Sequence, residues 1–130
     1  MGAHSQQKGK RGELEVVRLL LPVFPECHRR PMGDETIRDQ GRDIVGAPGL
    51  CIQCQLADRP TPEKKLAEAV RAAKVDELPV AFTRRTGGQW MVTIQATDFI
   101  TWLEGTAEMV ERLKEEGPPP LRPRPPEVPH

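Results

Sequence analysis

Apolar and polar residues follow two different periods along this chain, and the switches between them predict its elements. Apolar positions 14, 17, 20 and 21 recur at helical spacing, with Val16, Leu19 and Val23 widening the stripe. They predict a helix from about Arg11 to Leu21, ended by Pro22 or Pro25, since proline removes an N–H and clashes with the preceding turn. Glu26–Arg30 is a short strand candidate, followed by a polar loop over 31–40. Two short apolar runs then flank Gly46-Ala47-Pro48-Gly49 and predict a hairpin over 41–55. Thr61-Pro62 opens a second helix, with the threonine as cap and the proline pre-set for the first helical position. Leu66, Ala69, Val70 and Ala73 form its apolar stripe. Leu78–Thr83 and Gln89–Ile94 read as paired strands around a glycine-containing turn. Thr97 caps a last helix through Phe99, Ile100, Trp102 and Leu103, with Trp102 expected in the core. Gly105 breaks it, and Met109, Val110 and Leu113 begin a further segment.

The order is helix, three strands, helix, two strands, helix. It predicts an α/β fold with a central mixed five-stranded sheet flanked by helices. Residues 1–7 are expected to be a flexible lead-in, 8–116 the folded domain and 117–130 a proline-rich tail. Seven of the thirteen residues after Gly117 are proline, which suits an extended segment and not a core element.

The hairpin carries the candidate chemistry. Side chains two apart on a strand share a face, so Asp43, Gln53 and Gln55 are expected on one side while Ile44, Ile52 and Cys54 serve the core. Such a polar face is either exposed sheet or a site. Glu13 falls in the first turn of the expected helix, where a carboxylate also complements the helix dipole. His28 has no second histidine at metal-binding spacing. Cys51 and Cys54 form a C-x-x-C, but three-residue spacing in a strand sends the two thiols to opposite faces, which argues against a zinc or redox pair.

Composition narrows the function classes. Nineteen Lys+Arg balance nineteen Asp+Glu, so a nucleic-acid surface would have to be local. Three cysteines, an odd number, suit a reducing, cytoplasmic setting. No apolar run reaches the roughly 20 residues of a membrane helix.

Four stretches together carry a family resemblance over about Lys8–Leu103. Lys8-Gly9-x-x-x-Glu13 leads into the apolar helix, and Arg42-Asp43-Ile44-Val45 supplies an aspartate at a strand start. Leu50-Cys51-Ile52-Gln53-Cys54-Gln55 stands where apolar-apolar-Glu-x-Lys is usual, and Pro79–Phe82 with Trp90–Ile94 forms the closing hairpin. In this order they resemble the archaeal-type Holliday junction resolvases of the PD-(D/E)xK nuclease superfamily, small phage-encoded members above all. The resemblance implies a restriction-endonuclease-like fold and a homodimer that makes paired nicks in a four-way DNA junction. It implies Mg²⁺, with Mn²⁺ as a substitute, held by Glu13, Asp43 and the residue at position 53, and a location in the cytoplasm, the host's if phage-encoded.

The sequence departs from the family at the catalytic strand. Gln53 can offer an oxygen but no charge, and Gln55 has no cationic head. Either the missing groups come from elsewhere, namely Asp34, Glu35 or Asp39 in the loop and Lys64 or Lys65 on the second helix, or the protein binds junctions with weakened catalysis. Lys8, Lys10, Arg11, Arg29, Arg30 and Arg38 flank the site and are the expected phosphate contacts.

Overall fold

The computed structural model describes residues 2–31, 41–121 and 123, with side chains from Gln7 onward. Among the described residues, nine elements succeed one another: α1 (Gly2–Leu20), β1 (His28–Arg29), β2 (Ile44–Val45), β3 (Leu50–Ala57), α2 (Pro62–Ala72), β4 (Leu78–Arg85), β5 (Met91–Thr93), α3 (Ala96–Gly105) and α4 (Ala107–Glu116). The strands form one mixed sheet in the order β1-β2-β3-β4-β5. β3 and β4 are parallel, from Leu50 opposite Leu78 to Ala57 opposite Arg85. The other three pairings are antiparallel. A parallel pair needs a crossover, and α2 provides it.

α1 starts at Gly2, not Arg11, so residues 2–7 continue the helix. Its first turns are polar, and a hydrophobic period cannot register polar turns that still form helix. β1 and β5 are shorter than their apolar runs suggest. α3 begins at Ala96 with Gln95 as cap in place of Thr97, and the break at Gly105 separates it from α4.

The two faces of β3 are divided by residue parity. Ile52 and Cys54 face α1 and join Val16, Cys27, Ile44, Val80 and Phe82 in the core. Gly12 lets α1 come close: a Cβ there would meet the Leu56 Cβ at 3.0 Å. α2 covers the opposite face with the fully buried Ala69, while Val70, expected in its stripe, is exposed. The hairpin turn depends on Gly46, whose φ of 82° and tight approach to the Glu26 carbonyl leave no room for a side chain.

Trp102 is not in the core. It is 48% exposed and stacks on Phe99 with ring centroids 6.1 Å apart. α3 and α4 bury no residue and pack mainly on each other. Trp90 is partly buried and packs against the core cluster. All three cysteines are buried and unpaired with one another. Among the described residues, no helix is long and apolar enough to cross a membrane.

One buried ion pair ties the hairpin to the rest of the sheet. Arg42 donates two hydrogen bonds to the Glu77 carboxylate, at 2.7 and 2.8 Å. Glu77 also accepts from the Lys74 backbone N–H at 2.9 Å. The bond from Arg42 holds the Glu77 carboxyl below its ordinary value, against some desolvation. Removing Arg42 would leave the partly buried Glu77 carboxylate without its two charged hydrogen bonds, so Arg42→Ala is expected to cost about 1–3 kcal/mol in urea unfolding. Because Glu77 is depressed in the folded state, its contribution is present above the ordinary carboxylate value of 4.5 and is lost as pH falls through the lower folded value. A Glu77→Gln protein is therefore expected to lose most of its stability deficit relative to wild type on acidification; a deficit that stays constant from pH 7 to pH 3 would contradict the assignment.

Candidate functional site

Asp43 stands one residue before β2, at the point where the hairpin opens between the two helical layers. Its backbone is fixed on both sides: its N–H donates to the Ile52 carbonyl at 2.9 Å, and its carbonyl accepts from the Arg30 N–H at 3.0 Å. With the backbone held, the side chain reaches along β3, and Oδ2 accepts the Cys54 backbone N–H at 2.8 Å. Burial raises the Asp43 carboxyl above its ordinary value. The Cys54 N–H opposes that shift, the charge of Glu13 adds to it, and the charge of Lys65 opposes it. Two helices thus act on this one carboxylate of the hairpin: α1 through Glu13, and α2 through Lys65 and, with opposite sign, Glu68. The Cys54 thiol lies in the same field and is pushed far up, first by burial and then by the charges of Asp43 and Glu13, so it is no nucleophile.

The remaining expected site residues are placed differently. Glu13 Oε1 accepts from Arg29 Nε at 2.8 Å, so Arg29 neutralises a site carboxylate. Gln53 lies on the expected face but is buried, and its amide donates to the Gly41 carbonyl. Gln55 is spent on the start of α2: its Oε1 accepts the Thr61 N–H at 2.7 Å and its Nε2 lies 3.2 Å from Thr61 Oγ1. Thr61 therefore makes no side-chain cap bond to its own helix; Gln55 satisfies the turn instead. Lys65 pairs with Glu68 at 3.0 Å on the same helix, and Lys64 is exposed. Asp34, Glu35, Arg38 and Asp39 lie outside the described residues. Among the described residues, no three His, Cys, Asp or Glu side chains converge at ligand spacing.

Among the described residues, several of the expected phosphate contacts are already paired. Lys8 pairs with Asp58 at 3.0 Å, and Asp58 also accepts from Thr86 Oγ1. Lys10 and Arg11 are exposed, the latter 3.7 Å from Glu15. Glu15 anchors a network that the sequence did not reveal. Trp90 Nε1 donates to it at 2.9 Å, and Arg84 Nε lies 3.2 Å from Oε1, close enough for an ion pair though not aligned as a hydrogen bond. Arg84 also sits 5.7 Å from the Trp90 ring centroid, over its face. This locks α1 to the β4–β5 turn, with partners more than sixty residues apart in the chain.

Comparison with known protein families, with curated proteins and with solved structures finds no match to this chain.

Asp43 costs the fold stability when ionised. A carboxyl raised on folding contributes stability fully below its unfolded value of 3.8, and loses it as pH rises through the folded value. Asp43→Asn keeps an oxygen for the Cys54 N–H and removes the charge. Its urea midpoint is expected to exceed that of wild type at pH 7 and to match it at pH 3. A midpoint below wild type at pH 7 would show that the ionised carboxylate stabilises the fold.

Proposed function

We propose that the chain is a metal-dependent endodeoxyribonuclease of restriction-endonuclease-like fold that acts as a homodimer on four-way DNA junctions. The observation that carries this reading is Asp43 itself: a desolvated carboxylate at the hairpin opening, pinned by the Cys54 backbone N–H and within the field of Glu13 from α1 and of Lys65 and Glu68 from α2. A desolvated carboxylate with a second carboxylate's charge acting on it favours a bound cation or a proton. A structural role alone gives no reason for that arrangement. The element order and the mixed sheet agree with the resemblance to junction resolvases.

Glu13 and Asp43 would hold Mg²⁺ or Mn²⁺, a hard cation suited to oxygen ligands, which would lower the pKa of a bound water and stabilise charge on the phosphate. The chain's own residues supply the rest. The Cys54 N–H orients Asp43. Arg29 orients Glu13 and leaves its second oxygen outside that pair. Lys65 takes the electrostatic role that Gln55 cannot fill, since Gln55 is neutral and committed to Thr61. Lys10 and Arg11, exposed on α1, are the open phosphate contacts of the expected set.

A second reading has its own support. Glu13, Gln53 and Gln55 each already have a protein partner, which fits a junction-binding protein with weakened catalysis.

Cleavage of a synthetic four-way junction separates the two. On the nuclease reading, wild type nicks the junction in Mg²⁺ or Mn²⁺, Asp43→Ala lowers the rate by at least about 100-fold, as expected when a metal ligand is lost, and Lys65→Ala lowers it without weakening junction binding. Gln53→Glu/Gln55→Lys, which rebuilds the usual strand, speeds cleavage. Junction binding without cleavage in either metal supports the second reading, and Asp43→Ala cutting as fast as wild type would remove Asp43 from the site. Junction affinity is expected to fall steeply with salt, and less steeply after Lys10→Ala/Arg11→Ala.

A further inference from the structure

The parallel strands β3 and β4 end together, beside the polar first half of α1. Open α/β sheets bind ligands just beyond the carboxyl ends of such strands. Here the Thr86 N–H donates to the Ala57 carbonyl at 3.0 Å, which holds the strand ends, and so Asp58 and Thr86, side by side. Gln7, Lys8 and Arg11 of α1 line a cleft of about 380 Å³ together with Thr86. Residues three and four apart on a helix share a face, so α1 presents an amide, an ammonium and a guanidinium to one space.

One oxygen of Asp58 takes two of these donors. Its Oδ1 accepts from Lys8 Nζ at 3.0 Å and from Thr86 Oγ1 at 2.5 Å. An ammonium and a hydroxyl converging on one anionic oxygen are also the contacts that a backbone phosphate of DNA receives. Yet the Asp58 side chain is 80% exposed. An ion pair so open to water adds little stability and gives way readily. Arg11 is loosely held as well. It lies 3.7 Å from Glu15, whose carboxylate already serves Trp90 and Arg84, so it can turn to a ligand without stranding Glu15. Arg59 follows Asp58 and Arg85 precedes Thr86, both exposed, so the strand ends carry more positive than negative charge.

We propose that this cleft binds a phosphate group of the DNA backbone, and that Asp58 is an internal stand-in for that phosphate, displaced when DNA arrives. The proposal rests on the junction-binding part of the reading above. On binding, Lys8 and Thr86 pass from the carboxylate to phosphate oxygens, Arg11 leaves Glu15, and Gln7 adds its amide. The cleft therefore competes with itself, and its affinity for phosphate is lower than its donors alone would give. Its place relative to Asp43 suits a second hold on the same strand. From Cys54, whose N–H holds Asp43, to Asp58 is four strand residues, about 13 Å. That equals the axial rise of about four nucleotides. The cleft would thus grip the backbone a few nucleotides from the phosphate at Asp43.

The test follows the amide signals of Lys8, Asp58 and Thr86 in the full chain while inorganic phosphate is added at constant ionic strength. Asp58→Asn keeps an acceptor oxygen for Thr86 and removes the competing charge. It is expected to bind phosphate about three- to five-fold tighter than wild type, which is what losing an exposed competing ion pair is worth. Adding Lys8→Ala or Thr86→Val to Asp58→Asn is expected to remove the gain. Equal or weaker binding by Asp58→Asn would overturn the proposal and leave Asp58 as a tie between α1 and the strand ends. So would an equal gain in Glu108→Gln, which removes an exposed negative charge from α4 and reads net charge alone. Titrating the same variants with a four-way junction, without metal, identifies the source of the phosphate. Asp58→Asn is expected to bind the junction tighter than wild type; unchanged junction affinity would overturn the assignment to DNA and leave a site for free phosphate. None of these readouts needs cleavage, so a chain that gains phosphate and junction affinity but never nicks the junction fails the nuclease reading alone. Far-ultraviolet circular dichroism of each variant checks that the fold is kept.

Discussion

The buried Arg42–Glu77 pair is the constraint on which the rest of this structure depends. It joins the residue before Asp43 to the loop that starts β4, two points 35 positions apart. On one side it fixes the opening of the β2–β3 hairpin. On the other it fixes the return from α2 into the sheet, because Glu77 also holds the Lys74 backbone. A bidentate guanidinium–carboxylate contact is directional as well as strong, so it sets an orientation and not only a distance. With Arg42 fixed, Asp43 can take its two backbone bonds and still aim its carboxylate at the Cys54 N–H.

Two opposing pKa shifts meet within this small region. Glu77 is held down by its arginine, whereas Asp43 is pushed up, chiefly by burial. The first carboxylate belongs to the framework and is satisfied. The second is held at a cost, with a like charge from Glu13 nearby. Sites that bind cations or move protons commonly carry such a cost, whereas framework pairs do not.

Much of the fold was legible in the sequence because its signals are local. The two-residue period placed Gln53 and Gln55 on one face of β3, and Ile52 and Cys54 on the other. Thr61-Pro62 marked the start of α2, and Gly105 marked the break between α3 and α4. The failures share a physical cause. The polar first turns of α1 carry no hydrophobic period. Trp102 was expected inside because it is large and apolar, but burial depends on whether another layer arrives, and none does among the described residues. For the expected site residues, the sequence offers residue types and positions. It does not offer their partners: Arg29 on Glu13, the Gly41 carbonyl on Gln53 and Thr61 on Gln55 are choices made by the folded chain.

We propose that Glu13 and Asp43 together hold a divalent cation. A Mn²⁺ titration followed by the electron paramagnetic resonance signal of the free aquo ion tests it most directly, without relying on turnover. Wild type is expected to remove Mn²⁺ from solution, and Asp43→Ala, folded by circular dichroism, to remove far less. Equal uptake by the two proteins, or no uptake by wild type even with a four-way junction present, would contradict it.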